Sequence, residues 1–546
     1  MHIIIPMSGT GNRFVEKGYK TPKPLIEVDG KPIIEHVCDL FPNENNFTFI
    51  CNSEHLKHTK MRKILLDIKP SANIIEIEPH KLGPVYAVSK AFATIDDEEE
   101  VIVNYCDFGT YWNYNQFLCD TRKRNADGAI AAYKGFHPHM LGDTNYAFMR
   151  EENQWMLEIQ EKKPFTENRL NEYASNGTYY FKKGIFVKKY FSKLIDINHD
   201  LNGEYYVSLI YNLMKKDNLN ISIYEIQHML QWGTPEDLEH YNFWSEYFRH
   251  IILKKNYSSI HVDTINLIPL AGEGSRFLQE NYSSPKPLLD VNGYPMICQA
   301  ASSLPLSQKN IFVALKDHNI RYDLKSKIKN YFKNCEVIEI DKTTSGQAIT
   351  CSIGLKNIDD SLSLNIGACD NSMIFDSEKY SKEISDHSVD ALIFTFKNHI
   401  SSNKNPHMYG WVETEKDIAK KVSVKKAISS TPKNDHVIVG AFYFRKISFF
   451  NRALDHLINE DIKVNNEFYV DSVLQVMIDM GYKVKVLEVE KYIGWGTPDD
   501  YETFLYWQSY FHKSLFHPYN IDLDRNINIE KREELRKSFY EIKSND

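Results

Sequence analysis

The chain has 546 residues, 42% of them hydrophobic and 25% charged, with a formal net charge of −8 and a pI near 6.2. Such a length exceeds what one hydrophobic core organises, so two or more domains are expected. The acidic balance excludes a general nucleic-acid binder, and no apolar run approaches the roughly 20 residues that span a bilayer. Eight cysteines without a Cys-x-x-Cys pair make neither a zinc nor a disulfide framework. The N-terminal apolar residues are not preceded by a basic segment, and the expectation is a cytoplasmic protein.

The apolar run His2-Ile3-Ile4-Ile5 predicts a buried strand, followed by the glycine turn Gly9-Thr10-Gly11, Arg13, and Lys23 between Pro22 and Pro24. Glycines let backbone N–H groups approach phosphate oxygens, and two fixed cations balance the charge of a polyphosphate. The flanking prolines hold the lysine backbone extended and so aim its ammonium. The turn by itself is equally well a tight strand-to-helix connection. Phe14 stands where a dinucleotide fingerprint has its third glycine, and no Gly-Lys-Ser/Thr follows as in a P-loop.

Further strands are predicted at Phe47–Ile50, Asn73–Ile77, Val101–Tyr105 and Gly128–Tyr133, with helices at Ile33–Leu40, Lys57–Ile68 and Val85–Ala93. This alternation implies βαβ units and a mostly parallel sheet, with ligands beyond the carboxyl ends of the strands. A more antiparallel second half is expected around Trp155–Gln160 and Gly177–Phe181.

The same pattern then returns. Gly272, Lys286, Asp370, Lys425, Gly440, Glu467 and Trp495 each stand 263 positions after Gly9, Lys23, Asp107, Lys162, Gly177, Glu204 and Trp232. One register kept over seven landmarks marks a tandem duplication. Strands of the second copy are predicted at Asn310–Leu315, Glu336–Ile340, Leu362–Ile366, Ala391–Phe396 and Val439–Phe444. The expected division is 1–255, 264–515, and a charged helical tail at 516–546. The junction near Tyr247–Thr264 lacks the Pro, Gly and Ser of a flexible linker, so the copies are expected to pack together.

Ser8-Gly9-Thr10-Gly11-Asn12-Arg13-Phe14 with Pro22-Lys23-Pro24-Leu25 resembles the signature of the sugar-phosphate nucleotidylyltransferases, the NDP-sugar pyrophosphorylase family. Ala271-Gly272-Glu273-Gly274-Ser275-Arg276-Phe277 with Pro285-Lys286-Pro287-Leu288 resembles it more closely still. Capsule and lipopolysaccharide enzymes and choline-phosphate cytidylyltransferases are the nearest in character.

The resemblance implies two tandem GT-A-like, Rossmann-like α/β domains with mixed, mostly parallel sheets. It implies nucleotide contacts from Met7, Ser8, Gly9, Thr10, Gly11 and Gly83, and from Leu270, Ala271, Gly272, Gly274 and Gly346. Arg13, Lys23 and Lys162 would be catalytic in the first copy, and Arg276, Lys286 and Lys425 in the second. Glu161, Asn176, Gly177 and Gly440 would meet the acceptor, and Asp107 and Asp370 would hold Mg²⁺. The partners implied are an NTP, with a lean to CTP, and a phosphorylated sugar or small alcohol for surface glycan synthesis; oligomerisation is left open.

Departures from the family pattern bear on this reading. Gln231 and Gly494 replace the usual second metal aspartate, and Val424 and Val439 replace Glu161 and Asn176 in the second copy. Glu204 and Glu225 are candidates to assist the metal. His137-Pro138-His139 is assigned to the acceptor pocket rather than to a metal, Cys106 and Cys369 to buried strand ends, and Trp232 and Trp495 to packing. Two alternatives remain: a GT-A glycosyltransferase, although no D-x-D motif surrounds Asp107, and a non-catalytic nucleotide-binding pair.

Overall fold

The computed structural model describes residues 1–253, 261–272 and 274–540. The chain divides into two units, Met1–Arg249 with Tyr506–Asn520, and His250–Leu505 with a C-terminal stretch from Ile521.

The first unit is built on a nine-stranded sheet: β1 (His2–Met7), β2 (Phe47–Asn52), β3 (Asn73–Ile77), β4 (Val101–Asn104), β5 (Gly128–Tyr133), β6 (Ala147–Glu152), β7 (Trp155–Glu161), β8 (Tyr173–Phe181) and β9 (Ile221–Glu225). Their order is β3-β2-β1-β4-β8-β5-β9-β7-β6. The half from β3 to β4 is parallel. From β8 onward the sheet is mixed, with β8 antiparallel to both β4 and β5 and β9 parallel to β5. Every residue of β1 and β8 is buried, as expected of strands covered on both faces. The chain leaves β1 toward β2 and β3 and returns to β4 on the other side. That reversal opens a crevice at the carboxyl ends of β1 and β4.

The second unit repeats this strand order in full, from Cys335–Ile340 at one edge to Gly410–Glu415 at the other. Its first strand, His261–Leu270, pairs in parallel with Ser307–Leu315 and Ser363–Ile366.

Two expectations change. The helix anticipated over Lys57–Ile68 is two helices, Ser53–His58 and Met61–Ile68. Thr59 is extended between them, and its hydroxyl accepts from the Met61 N–H at 3.1 Å, which favours the break. The expected division at 255, 264 and 515 leaves Tyr506–Asn520 outside the first domain, whereas in the structure this segment belongs to the first unit. The reason is aromatic packing: Trp507 and Phe511 lie 5.6 and 5.5 Å from Tyr241, and Tyr519 lies 4.5 Å from Phe248, between ring centroids.

The tail is more tightly held than a solvated helix would be, because Ile521 and Ile527 are buried and Gln299 Nε2 donates to the Asn526 carbonyl at 3.0 Å. Its helix is Arg532–Tyr540. Much of the junction expected near Tyr247–Thr264, and residues 541–546, lie outside the described residues.

Candidate active site

A cleft of about 590 Å³ opens at the carboxyl ends of β1 and β4. Its nucleotide-side wall is the turn after β1. Gly11 takes a left-handed conformation, φ +66°, that caps the short helix Asn12–Glu16, and buried Phe14 anchors that helix edge-on against Tyr19 at 5.1 Å. Met7, Ser8, Gly9, Thr10, Gly11 and Arg13 all line the cleft. Ser8 Oγ and His80 Nε2 are 2.9 Å apart. The backbone N–H of Leu82 donates to His80 Nδ1 at 3.2 Å, which leaves the ring proton on the Nε2 that faces Ser8.

Pro22 and Pro24 set Lys23 at the head of a single 3₁₀ turn. Its Nζ donates to Asp107 Oδ2 at 2.6 Å, and both groups line the cleft. Burial pulls the Lys23 ammonium down, but the charge of Asp107 and the hydrogen bond to it outweigh that effect, and its pKa is raised. The antiparallel pairing of Phe108–Tyr111 with His228–Gln231, distant in the chain, places Gln231 opposite Phe108, so a carboxamide stands beside Asp107 where a second carboxylate was anticipated.

The opposite wall carries the acceptor-side residues. Lys162 follows β7 with φ +58°, an uncommon conformation outside glycine and one that concentrates at functional sites. Its Nζ donates to Tyr206 Oη at 2.6 Å, and Tyr206 Oη donates to Glu204. Glu161 accepts from Ser208 Oγ. Burial lifts the Glu161 pKa to about 7, against the opposing effects of Ser208 and Lys162 and with a contribution from Glu204. Asn176 and Gly177 line the same cleft, although the Asn176 carboxamide is engaged by Thr110 Oγ1 and by the Thr178 N–H.

Gly83 joins the two walls. A Cβ there would lie 2.7 Å from the Tyr205 nitrogen and 2.8 Å from its carbonyl oxygen. The backbone of 82–85 pairs with Tyr205 through Tyr205 N–H to Leu82 O, 3.0 Å, and Val85 N–H to Tyr205 O, 3.1 Å. Gly346 is seated in the same way against Phe468.

The second unit repeats the central pair: Lys286 Nζ donates to Asp370 Oδ2 at 2.6 Å. Burial would raise the Asp370 pKa, but the Lys286 charge and hydrogen bond hold it below the ordinary range. Lys425 again has a left-handed backbone, φ +57°. Its Nζ bonds to the Met408 carbonyl, and burial lowers its pKa. Gly274 stands at the head of its helix with φ +64°, as Gly11 does.

Met7, Ser8, Gly9, Thr10, Gly11, Arg13, Lys23, Gly83, Asp107, Glu161, Lys162, Asn176 and Gly177 therefore share one cleft. Two other assignments, Glu225 and His137 with His139, come out differently, while the tryptophans and cysteines keep the character expected of them. Glu225 is bound by Tyr173 Oη at 2.7 Å and takes no part in the cleft wall. His137 and His139 sit one layer behind it: the His139 ring packs 4.9 Å from Tyr146, which is the residue that faces the cleft. Trp232 and Trp495 are buried packing residues. Burial raises the pKa of Cys106 to about 12 and that of Cys369 to about 11, which removes thiolate chemistry at neutral pH. His80, Tyr146 and Tyr206 were not selected from the sequence, whereas Glu204, a candidate to assist the metal that keeps the repeat register with Glu467, lines the cleft and is engaged by Tyr206.

For a metal, the donor set is small. No group of three or more His, Cys, Asp or Glu able to hold a metal exists among the described residues. One carboxylate beside a polyphosphate site nevertheless fits Mg²⁺, which keeps several waters and draws other oxygens from substrate phosphates.

The family model described as nucleotidyl transferase matches residues 3–218. This stretch is a nucleotidyl transferase domain. Bifunctional protein GlmU of Buchnera aphidicola subsp. Baizongia pistaciae is 26% identical to the chain over 225 residues, 41% of this chain and 46% of that protein. Bifunctional protein GlmU of Staphylococcus epidermidis is 23% identical over 228 residues, 41% and 47% respectively. The chain spans about half the length of the curated relatives it matches. Among solved structures, the nucleoside-diphosphate-sugar pyrophosphorylase from Vibrio cholerae RC9 is 18% identical, covering 44% of this chain and 98% of its own, with a TM-score of 0.37. The nucleotidyl transferase domain contains the glycine turn, Lys23, Asp107 and Lys162. The second unit lies outside the match and carries their counterparts at the same spacing.

Proposed function

We propose that the chain transfers a nucleotidyl group from an NTP to a phosphorylated sugar or small phosphorylated alcohol and releases pyrophosphate. The observation that carries this reading is the cleft with a lysine at each wall. Lys23 lies beside Asp107 at the glycine turn, and Lys162 lies across from it beside Glu161. One cation matches the triphosphate and the other a second phosphate, which is what joining two phosphorylated substrates requires.

In the reaction, a phosphate oxygen of the acceptor forms a bond to the α-phosphorus. The bond from that phosphorus to the α–β bridging oxygen breaks, and its electron pair leaves with pyrophosphate. A phosphate monoester is anionic at neutral pH and needs no general base. Lys23 and Arg13 balance the leaving pyrophosphate, Lys162 holds the acceptor phosphate, and Tyr206 and Glu204 orient Lys162. Asp107, with Gln231 beside it, is the group that would hold Mg²⁺, which when bound draws negative charge from the nucleotide phosphates. The surface-glycan setting, the cytoplasmic location and the order in which NTPs are tried, CTP first, follow the likeness of the signature. No helix among the described residues is long and apolar enough to cross a membrane.

The test is pyrophosphate release by the full chain with Mg²⁺, each of the four NTPs and a panel of sugar 1-phosphates and phosphorylated alcohols. One NTP and one acceptor class should give turnover, and Lys23→Ala should cut the first domain's rate by about 10²–10³, as loss of a positioned charge does. Silence across the whole panel overturns the reading.

A further inference from the structure

The second unit departs from the first at three positions that touch one another, and the departures compensate. In the first unit Ala147 opens β6, Glu161 closes β7, and Ser208 begins the helix Ser208–Lys216 and donates to the Glu161 carboxylate. At the corresponding positions the second unit has Gly410, Val424 and Asp471. The carboxylate has left the strand and reappears on the helix Val470–Asp479.

Gly410 makes room for it. A Cβ at Gly410 would meet Asp471 Oδ2, so the methyl group that Ala147 carries in the first unit would push the Asp471 carboxylate out of the place it takes here. Lys425 is close enough for its charge and that of Asp471 to act on each other. Among the described residues no side chain hydrogen-bonds the Asp471 carboxylate, whose donor is its own backbone N–H, in contrast to Glu161 with its Ser208. A half-buried carboxylate with a single donor keeps hydrogen-bonding capacity to spare, which a ligand's O–H or N–H would use.

We propose that Asp471 takes the place of Glu161 in the second unit, and that this unit binds a phosphorylated acceptor of its own, with the phosphate on Lys425 and a hydroxyl or amino group of the same molecule on Asp471. A sugar phosphate is the class this fits. Asp471 is shorter, approaches from the helix, and has no serine occupying it, so the second acceptor site differs in shape from the first and has more capacity to accept hydrogen bonds. The inference rests on the reading of both units as nucleotidyl transferase sites.

The test uses the full chain carrying Lys23→Ala and Lys162→Ala, which silences the first cleft. Calorimetric binding is measured for the four Mg-NTPs and, separately, for a panel of hexose 1-phosphates with O-phosphoethanolamine as the amine-bearing arm. In this background a hexose 1-phosphate should bind. Adding Asp471→Asn should weaken it at least tenfold with NTP affinity unchanged. Restoring the first unit's set with Gly410→Ala, Val424→Glu and Asp471→Ser together should recover affinity to within about threefold, a rescue that a purely structural aspartate would not show. Binding of O-phosphoethanolamine but no hexose 1-phosphate overturns the sugar assignment. If no acceptor binds, or if Asp471→Asn changes nothing, while NTP binding persists, this inference fails alone. If NTP binding is absent as well, the underlying reading of the second unit fails with it.

Discussion

Burial gives Glu161 and Asp471 the same pH signature in their separate units. Glu161 titrates near 7 in the folded chain against an ordinary 4.5, and Asp471 near 6 against 3.8. Between each pair of values the folded state holds more protons than the unfolded one, so stability falls as pH rises through that window and levels off above it. We expect Glu161→Gln to flatten the fall in the first domain's melting temperature between about pH 5 and 7, since the amide cannot ionise. Equal slopes for wild type and variant, followed by differential scanning fluorimetry, would show that Glu161 ionises in the fold at its ordinary pKa. Residue-scale legibility was uneven for a physical reason. Lys23, Asp107 and Lys162 could be found in the sequence because their chemistry is tied to a fixed place in the motif. Asp471 could not, because comparing copies position by position records Glu161 as lost when its charge has moved to a neighbouring element.

At the scale of elements, β1, β2, β4, β5 and β8 were legible because both their faces are covered and their runs are largely apolar, whereas the break at Thr59 depends on a single side-chain cap. The glycines show what a motif leaves unsaid. Gly9 and Gly83 both line the cleft, yet a Cβ at Gly9 meets nothing within 4 Å, while one at Gly83, where φ is +82°, strikes the Tyr205 backbone. Gly83→Ala is therefore expected to destabilise the first unit by roughly 2 kcal/mol or more. It should also raise the acceptor KM, because the strained turn holds the Glu204–Tyr206 segment that steadies Lys162. Gly9→Ala should leave the melting temperature nearly unchanged and weaken NTP binding by holding phosphate away from the turn. Thermal melts with NTP titrations on both variants check the pair, and a stable Gly83→Ala would refute the contact.

The duplication made the two-unit organisation of the molecule legible, since one offset of 263 relates landmarks from Gly9 to Trp495. It did not disclose that residues 506–520 complete the first unit, because periodicity records which segments are alike and not which surface each one covers. The helix Pro235–Leu253 presents Tyr241, Trp244 and Phe248, all buried. Trp507, Phe511 and Tyr519 pack against them, His517 and the Ser245 carbonyl are 3.1 Å apart, and Tyr506 Oη donates to the Met229 carbonyl at 2.7 Å. Each large side chain buried contributes roughly 1.5–3 kcal/mol. Three such rings amount to a large part of the roughly 5–15 kcal/mol that holds a domain folded. A chain ending at Leu253, which retains the whole motif set of the first copy, is therefore expected to aggregate or to melt far below the first transition of the full protein. Supplying residues 506–520 through a flexible linker should restore a cooperative melt. A monodisperse 1–253 fragment, seen by size-exclusion chromatography and melting within a few degrees of the full chain, would mean that the aromatic face is dispensable and that the first copy folds unaided.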